Sequence, residues 1–136
     1  MAAVRLRIAL SVFLAALVGC GSGGGGNAPA PEVTKVSEGM LNELKEMLPA
    51  YSRTHKAPPT KAAEFNKLEP AFPDAVRLIN SGECVYLWGS GLAAGSQAVL
   101  AHGKDAATAG GWVLLQDGTV KEMTAAEFTA APKAKK

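Results

Sequence analysis

Gly111-Trp112-Val113-Leu114-Leu115-Gln116, then Asp117-Gly118, then Thr119-Val120-Lys121-Glu122-Met123: two runs rich in β-branched, aromatic and aliphatic residues meet at an Asp-Gly step. Such a step between two extended runs marks a β-hairpin, and a two-residue type I′ turn is the expected form because both central positions then need positive φ. Upstream, Cys84-Val85-Tyr86-Leu87-Trp88 reads as a further strand that stops at Gly89-Ser90-Gly91. A short strand from Ala98 to Ala101 or His102 lies between them. Downstream, Thr124-Ala125-Ala126-Glu127 has the spacing of a capping box and opens a final helical turn that returns Phe128 to the core. The C-terminal half is therefore expected to form three or four antiparallel strands.

The preceding half has a different period. Val33, Val36, Met40, Leu44, Met47 and Tyr51 recur at steps of three and four, with Leu41 and Leu48 widening the stripe, while Glu38, Glu43, Lys45 and Glu46 fall elsewhere. This predicts an amphipathic helix from Val33 or Thr34 into the fifties, capped by Thr34 or Ser37 and kinked or restarted at Pro49. Ala57-Pro58-Pro59 ends it, with His55 a solvated residue near its C-terminus. A short helical segment over 61–68 follows Thr60, and another over Ala75–Asn80 is capped by Asp74 and closed by Gly82. The fold expected is α+β: an N-terminal amphipathic helix and short helices packed on one face of a small three- to four-stranded antiparallel sheet.

Residues 1–19 have the tripartite pattern of a secretory signal. Arg5 and Arg7 form the positive region, Ile8 to Val18 is an apolar run interrupted by Ser11, and the small Gly19 precedes the cut. An apolar run of about eleven residues is too short for a bilayer, which takes about 20. On these residues the segment resembles the signal of bacterial lipoproteins, with Leu17-Val18-Gly19-Cys20 as lipobox. The resemblance implies cleavage between Gly19 and Cys20, a diacylglyceryl thioether on Cys20 and a palmitate-type acyl chain on the new N-terminus. Each buried CH₂ contributes about 0.8 kcal/mol, so one chain binds marginally and two or three anchor firmly. The lipid bilayer is thus the first expected partner. Residues 20–32, with Gly23–Gly26, Pro29 and Pro31, read as a tether of about 20 Å root-mean-square reach. Residues 33–130 read as a single domain and 131–136 as a basic, disordered tail. The place expected is the cell envelope, facing the periplasm or surface; resemblance to enterobacterial lipoproteins, where a residue other than Asp after the cysteine favours export outward, sets the outer membrane above the inner.

Charge excludes one class of partner. The 136-residue chain carries a formal charge of +2, but Arg5 and Arg7 supply it, and loss of the signal leaves 12 basic against 12 acidic residues. Without Lys133, Lys135 and Lys136 the folded part is near −3, so no basic surface for nucleic acid is expected. Beyond Cys20, the reactive inventory is Cys84, His55 and His102. With Cys20 taken by lipid, Cys84 has no intramolecular partner; it reads as a small hydrophobe in a half-buried strand, with an intermolecular disulfide as the alternative. His102 falls in a loop with Gly103-Lys104-Asp105, exposed or in contact with a ligand. No second ligand stands at zinc-binding spacing, and neither metal nor cofactor is expected. A Cys84/His102 pair lacks an orienting third group, so the reading is non-enzymatic.

The domain carries a second resemblance. An amphipathic N-terminal helix, a Pro-rich middle, the Val85-Tyr86-Leu87-Trp88-Gly89 strand, the Gly110-to-Lys121 hairpin and the Thr124-to-Phe128 ending are similar to pilin-like and pseudopilin-like proteins of planctomycete-type bacteria. The departure is the lipobox and glycine tether that replace the long apolar helix through which pilins pack. The function this implies is an envelope lipoprotein that serves as a structural or interaction module, as an accessory of a pilin-like or secretion system. A small periplasmic lipoprotein binding a ligand or envelope polymer is the alternative. Trp88, Trp112 and Tyr86, exposed together on a sheet face, would favour binding, with His102 as a further contact.

Overall fold

A computed structural model describes residues 35–136. The expected signal segment, Gly19, Cys20 and the tether lie outside the described residues, as does Thr34. Helix α1 (Glu38–Ser52) starts later than its apolar stripe suggests, because Ser37 in extended geometry accepts a 3.4 Å hydrogen bond from the Met40 amide and so fixes the first turn. Val36 stays outside the helix, before the cap, buried against Gly103. Leu41, Leu44, Met47, Leu48 and Tyr51 form the buried face. The helix does not restart at Pro49: the proline sits in the last turn, exposed, and costs one amide there, while Leu48 and Tyr51 on either side are anchored in the core.

A 3-10 segment, Ala62–Leu68, follows, with Phe65 fully buried; Lys61, and not Thr60, stands at its start. Helix α2 (Pro73–Ser81) begins one residue before the expected cap, since Pro73 occupies the first turn after Phe72 and Asp74 becomes a first-turn acid. Gly82 closes it in the left-handed region at φ 77°.

Four strands form an antiparallel meander in sequence order: β1 (Cys84–Tyr86), β2 (Val99–Gly103), β3 (Gly111–Leu115) and β4 (Val120–Met123). β1 is shorter than expected, and Trp88 lies in the turn after it. A bulge between Val99 and Ala101 lets Leu100 and Ala101 face the same side. The Asp-Gly hairpin is real, but its turn is not type I′. The Gly118 amide bonds the Leu115 carbonyl at 3.0 Å and the Leu115 amide bonds the Thr119 carbonyl at 2.8 Å. Gly118 has φ 88° and Asp117 stays at negative φ, which makes a three-residue loop of a type I turn plus a left-handed glycine. The Asp117 carboxylate, bonded by the Thr119 amide at 2.9 Å, favours that form.

Helices cover both faces of the sheet, not one. α1, α2 and the 3-10 segment pack over Cys84, Tyr86, Leu100, Ala101 and Leu114. α3 (Ala106–Ala109) and α4 (Ala125–Ala130) contribute Ala106 and Phe128 to a second cluster with Val99, Val113, Leu115 and Met123. The reason is legible in β3: Val113, Leu114 and Leu115 are consecutive and fully buried, so both faces need cover. α4 opens with the capping box formed by Thr124 and Glu127, as its spacing predicts.

The last residues also depart from expectation. Instead of a disordered tail, 131–136 runs along the open end of β2 beyond β1: the Val99 amide bonds the Pro132 carbonyl at 2.8 Å and the Ala134 amide bonds the Val99 carbonyl at 2.8 Å. Lys133 Nζ donates to the Phe128 and Ala131 carbonyls at 2.5 and 2.7 Å and lies 4.2 Å from the Phe128 ring centroid.

Candidate functional site

The four side chains singled out for contact do not form a shared surface. Tyr86 is buried, its hydroxyl donating 2.7 Å to the Ser90 carbonyl, and desolvation pushes its phenol above the ordinary range. Trp88 is half-buried and packs on Tyr86 at 4.8 Å and Phe65 at 6.0 Å between ring centroids. Trp112 is half-buried against the same core from β3. Tyr86 and Trp112 lie on the side of the sheet that α1 covers and Trp88 packs on Tyr86 from the turn, so the three rings are not exposed together as the binding alternative would have them.

His102 belongs to β2, not to a loop, and faces away from that core. Its ring lies 4.5 Å from Phe128, and Nδ1 donates to the Gly103 carbonyl at 2.7 Å. Burial lowers its pKa, and the Gly103 bond opposes that only partly. Cys84 pairs one register position away, Val85 lying opposite His102, but its side chain enters the α1 face. Burial pushes the thiol up to about 12. The strand pleat thus sends the thiol and the imidazole to opposite sides of the sheet, and they are not brought together. Among the described residues no three His, Cys, Asp or Glu side chains gather as a metal site would require.

Two concavities lie at opposite ends of α1. The first, about 220 Å³, is lined by Lys35, Glu83, Lys104, Asp105, Trp112 and Glu122 among others. Its charges are mixed and partly paired: Lys104 Nζ meets Glu83 Oε1 at 2.6 Å, which raises the lysine pKa. The second is an open groove of about 570 Å³ with apolar walls from Leu48, Pro49, Pro58, Pro59 and Leu92. His55 and Lys56 stand on it, and His55 stacks on Tyr51 with 4.0 Å between ring centroids. His55 is exposed just past the end of α1, as expected from the sequence, but the groove beside it was not expected. Its signals in sequence were Pro58-Pro59 and the apolar Leu92 within a glycine-rich loop.

No described helix is long and apolar enough to cross a membrane. The chain matches no protein-family model, no curated protein and no solved structure.

Proposed function

We propose that this chain is an envelope lipoprotein, anchored in a membrane through acylated Cys20, whose folded part is a non-enzymatic structural or interaction module of pilin-like type. The observation that carries the reading is the in-register series of Arg5 and Arg7, the apolar run, Leu17-Val18-Gly19-Cys20 and the glycine tether. An N-terminal amphipathic helix, then two short helical segments and a four-stranded antiparallel meander, is an order that supports the pilin-like part. The inward packing of Tyr86 favours a module that works through its outer surface over one that presents an aromatic platform. Its place is the periplasmic or outer face of the envelope, the outer membrane favoured.

The test is fractionation together with metabolic labelling by an alkynyl palmitate. The natural chain is expected in the membrane fraction with label, and Cys20→Ser in the soluble fraction or as unlabelled, uncleaved precursor. A Cys20→Ser chain that is labelled and fractionates like the natural one would sink the proposal.

A further inference from the structure

The end of the domain where α1 stops combines three features that its packing alone does not require. Leu92 is 39% exposed, yet the loop that carries it is fixed residue by residue. The Gly89 amide bonds the Pro59 carbonyl at 2.8 Å, Gln116 Nε2 bonds the Gly91 carbonyl at 3.1 Å, and the Ala93 amide bonds the Gln116 carbonyl at 2.7 Å. A rigid loop therefore presents an apolar side chain to solvent. Beside it runs the 570 Å³ groove, whose proline walls carry no amide donors and lose little freedom on contact.

The third feature is charge. The docked C-terminal segment brings Lys135 and Lys136 to this loop: Ser90 Oγ donates to the Lys135 carbonyl at 3.0 Å, and the Lys136 side chain lies against Gly89. Lys56 stands on the groove itself. Among the described residues no carboxylate lines the groove. Glu64, across Tyr51, already accepts from Tyr51 and from the Thr60 amide and hydroxyl. Lys56 on the groove and Lys136 beside its loop thus set positive charge against an apolar trough that no carboxylate lines.

We propose that this groove docks an extended acidic segment of a partner protein, one apolar side chain resting on Leu92 and Pro58 and flanking carboxylates facing Lys56 and Lys136. The concave, two-walled shape favours a peptide over a lipid surface, which is flat on this scale. The inference rests on the reading of the domain as an interaction module but needs no lipid anchor, so fractionation of Cys20→Ser and the peptide assay below fail independently.

The assay is fluorescence anisotropy on the full chain in neutral detergent, with a labelled peptide of glutamates around a central leucine. Binding is expected to weaken as salt rises and to fall about tenfold in Lys56→Glu and Lys136→Glu. Leu92→Ser should weaken it as well, and because Leu92 is exposed the thermal transition of that variant should stay in place. The same peptide with glutamine for glutamate should not bind. Equal binding of both peptides, or binding of neither, overturns the proposal, as does association of the domain with phosphatidylglycerol vesicles without binding to the acidic peptide.

Discussion

The Tyr51 hydroxyl donates a 2.6 Å hydrogen bond to Glu64 Oε2, joining the last turn of α1 to the 3-10 segment. The same carboxylate accepts from the Thr60 amide at 3.1 Å and hydroxyl at 2.7 Å, so it closes the Pro58-Pro59 turn that walls the groove. Three donors hold the Glu64 carboxyl at about 2, the Tyr51 bond first among them. The same bond, then burial, pushes the Tyr51 phenol up to about 12.

The sign of the pH dependence follows. A carboxyl whose folded pKa is depressed contributes stability that is present above its unfolded value, 4.5, and is lost as pH falls toward 2. Glu64→Gln is therefore expected to flatten the fall in denaturation midpoint between about pH 5 and pH 3, and Tyr51→Phe to reduce it. The phenol acts oppositely: its contribution is complete below 10 and is lost as pH rises toward 12. Parallel urea titrations of both variants and the natural chain read the difference, and identical acid slopes would contradict it.

Gly110 is the position least open to a side chain. It has φ 71° and ψ −160°, a region almost exclusive to glycine, and an added Cβ would lie 2.5 Å from the Met123 carbonyl oxygen. Gly82, at φ 77°, has open space around it. Gly110→Ala is expected to cost about 3 kcal/mol or more and Gly82→Ala about 1 kcal/mol, the second reflecting backbone strain alone. Equal losses in a denaturant titration would show that the Met123 contact yields.

Periodicity carried the elements whose local and tertiary signals agree. The stripe from Leu41 to Tyr51, the Asp117-Gly118 hairpin and the Thr124/Glu127 box each appear where the sequence places them. It failed where distant contacts decide. Nothing local in Pro132-Lys133-Ala134 says that Val99 has an unpaired edge to offer, since β1 ends at Tyr86. Nor does the turn composition separate a type I′ from a three-residue loop, which depends on where Leu115 and Thr119 pair. Composition names the groove's walls, Pro58-Pro59 and Leu92, but not their meeting: Pro58 and Gly91 are far apart in sequence and come together beside the Gly89–Pro59 bond.

Cys84 is a free, buried thiol, and at a pKa near 12 it carries almost no thiolate at neutral pH. It is expected to resist iodoacetamide and disulfide exchange in the folded chain and to label at once in guanidinium. Rapid labelling under native conditions, or a Cys84-dependent dimer on a non-reducing gel, would revive the intermolecular disulfide.

The C-terminal segment gives the last prediction. α4 has only six residues, too few to persist without help at both ends. The capping box supplies the first end; Lys133 supplies the second by donating to the Phe128 and Ala131 carbonyls while its ammonium sits over the Phe128 ring. Lys133→Ala removes both and is expected to cost about 1–2 kcal/mol. Truncation after Ala131 also strips both Val99 bonds and uncovers a side chain that is 0% exposed, so its loss should be larger, about 2–4 kcal/mol. If the segment were only a solvated basic tail, the two changes would leave the unfolding midpoint where it was. Hydrogen exchange at the Val99 amide separates the cases directly, because a bonded amide is protected in the natural chain and exposed in the truncated one.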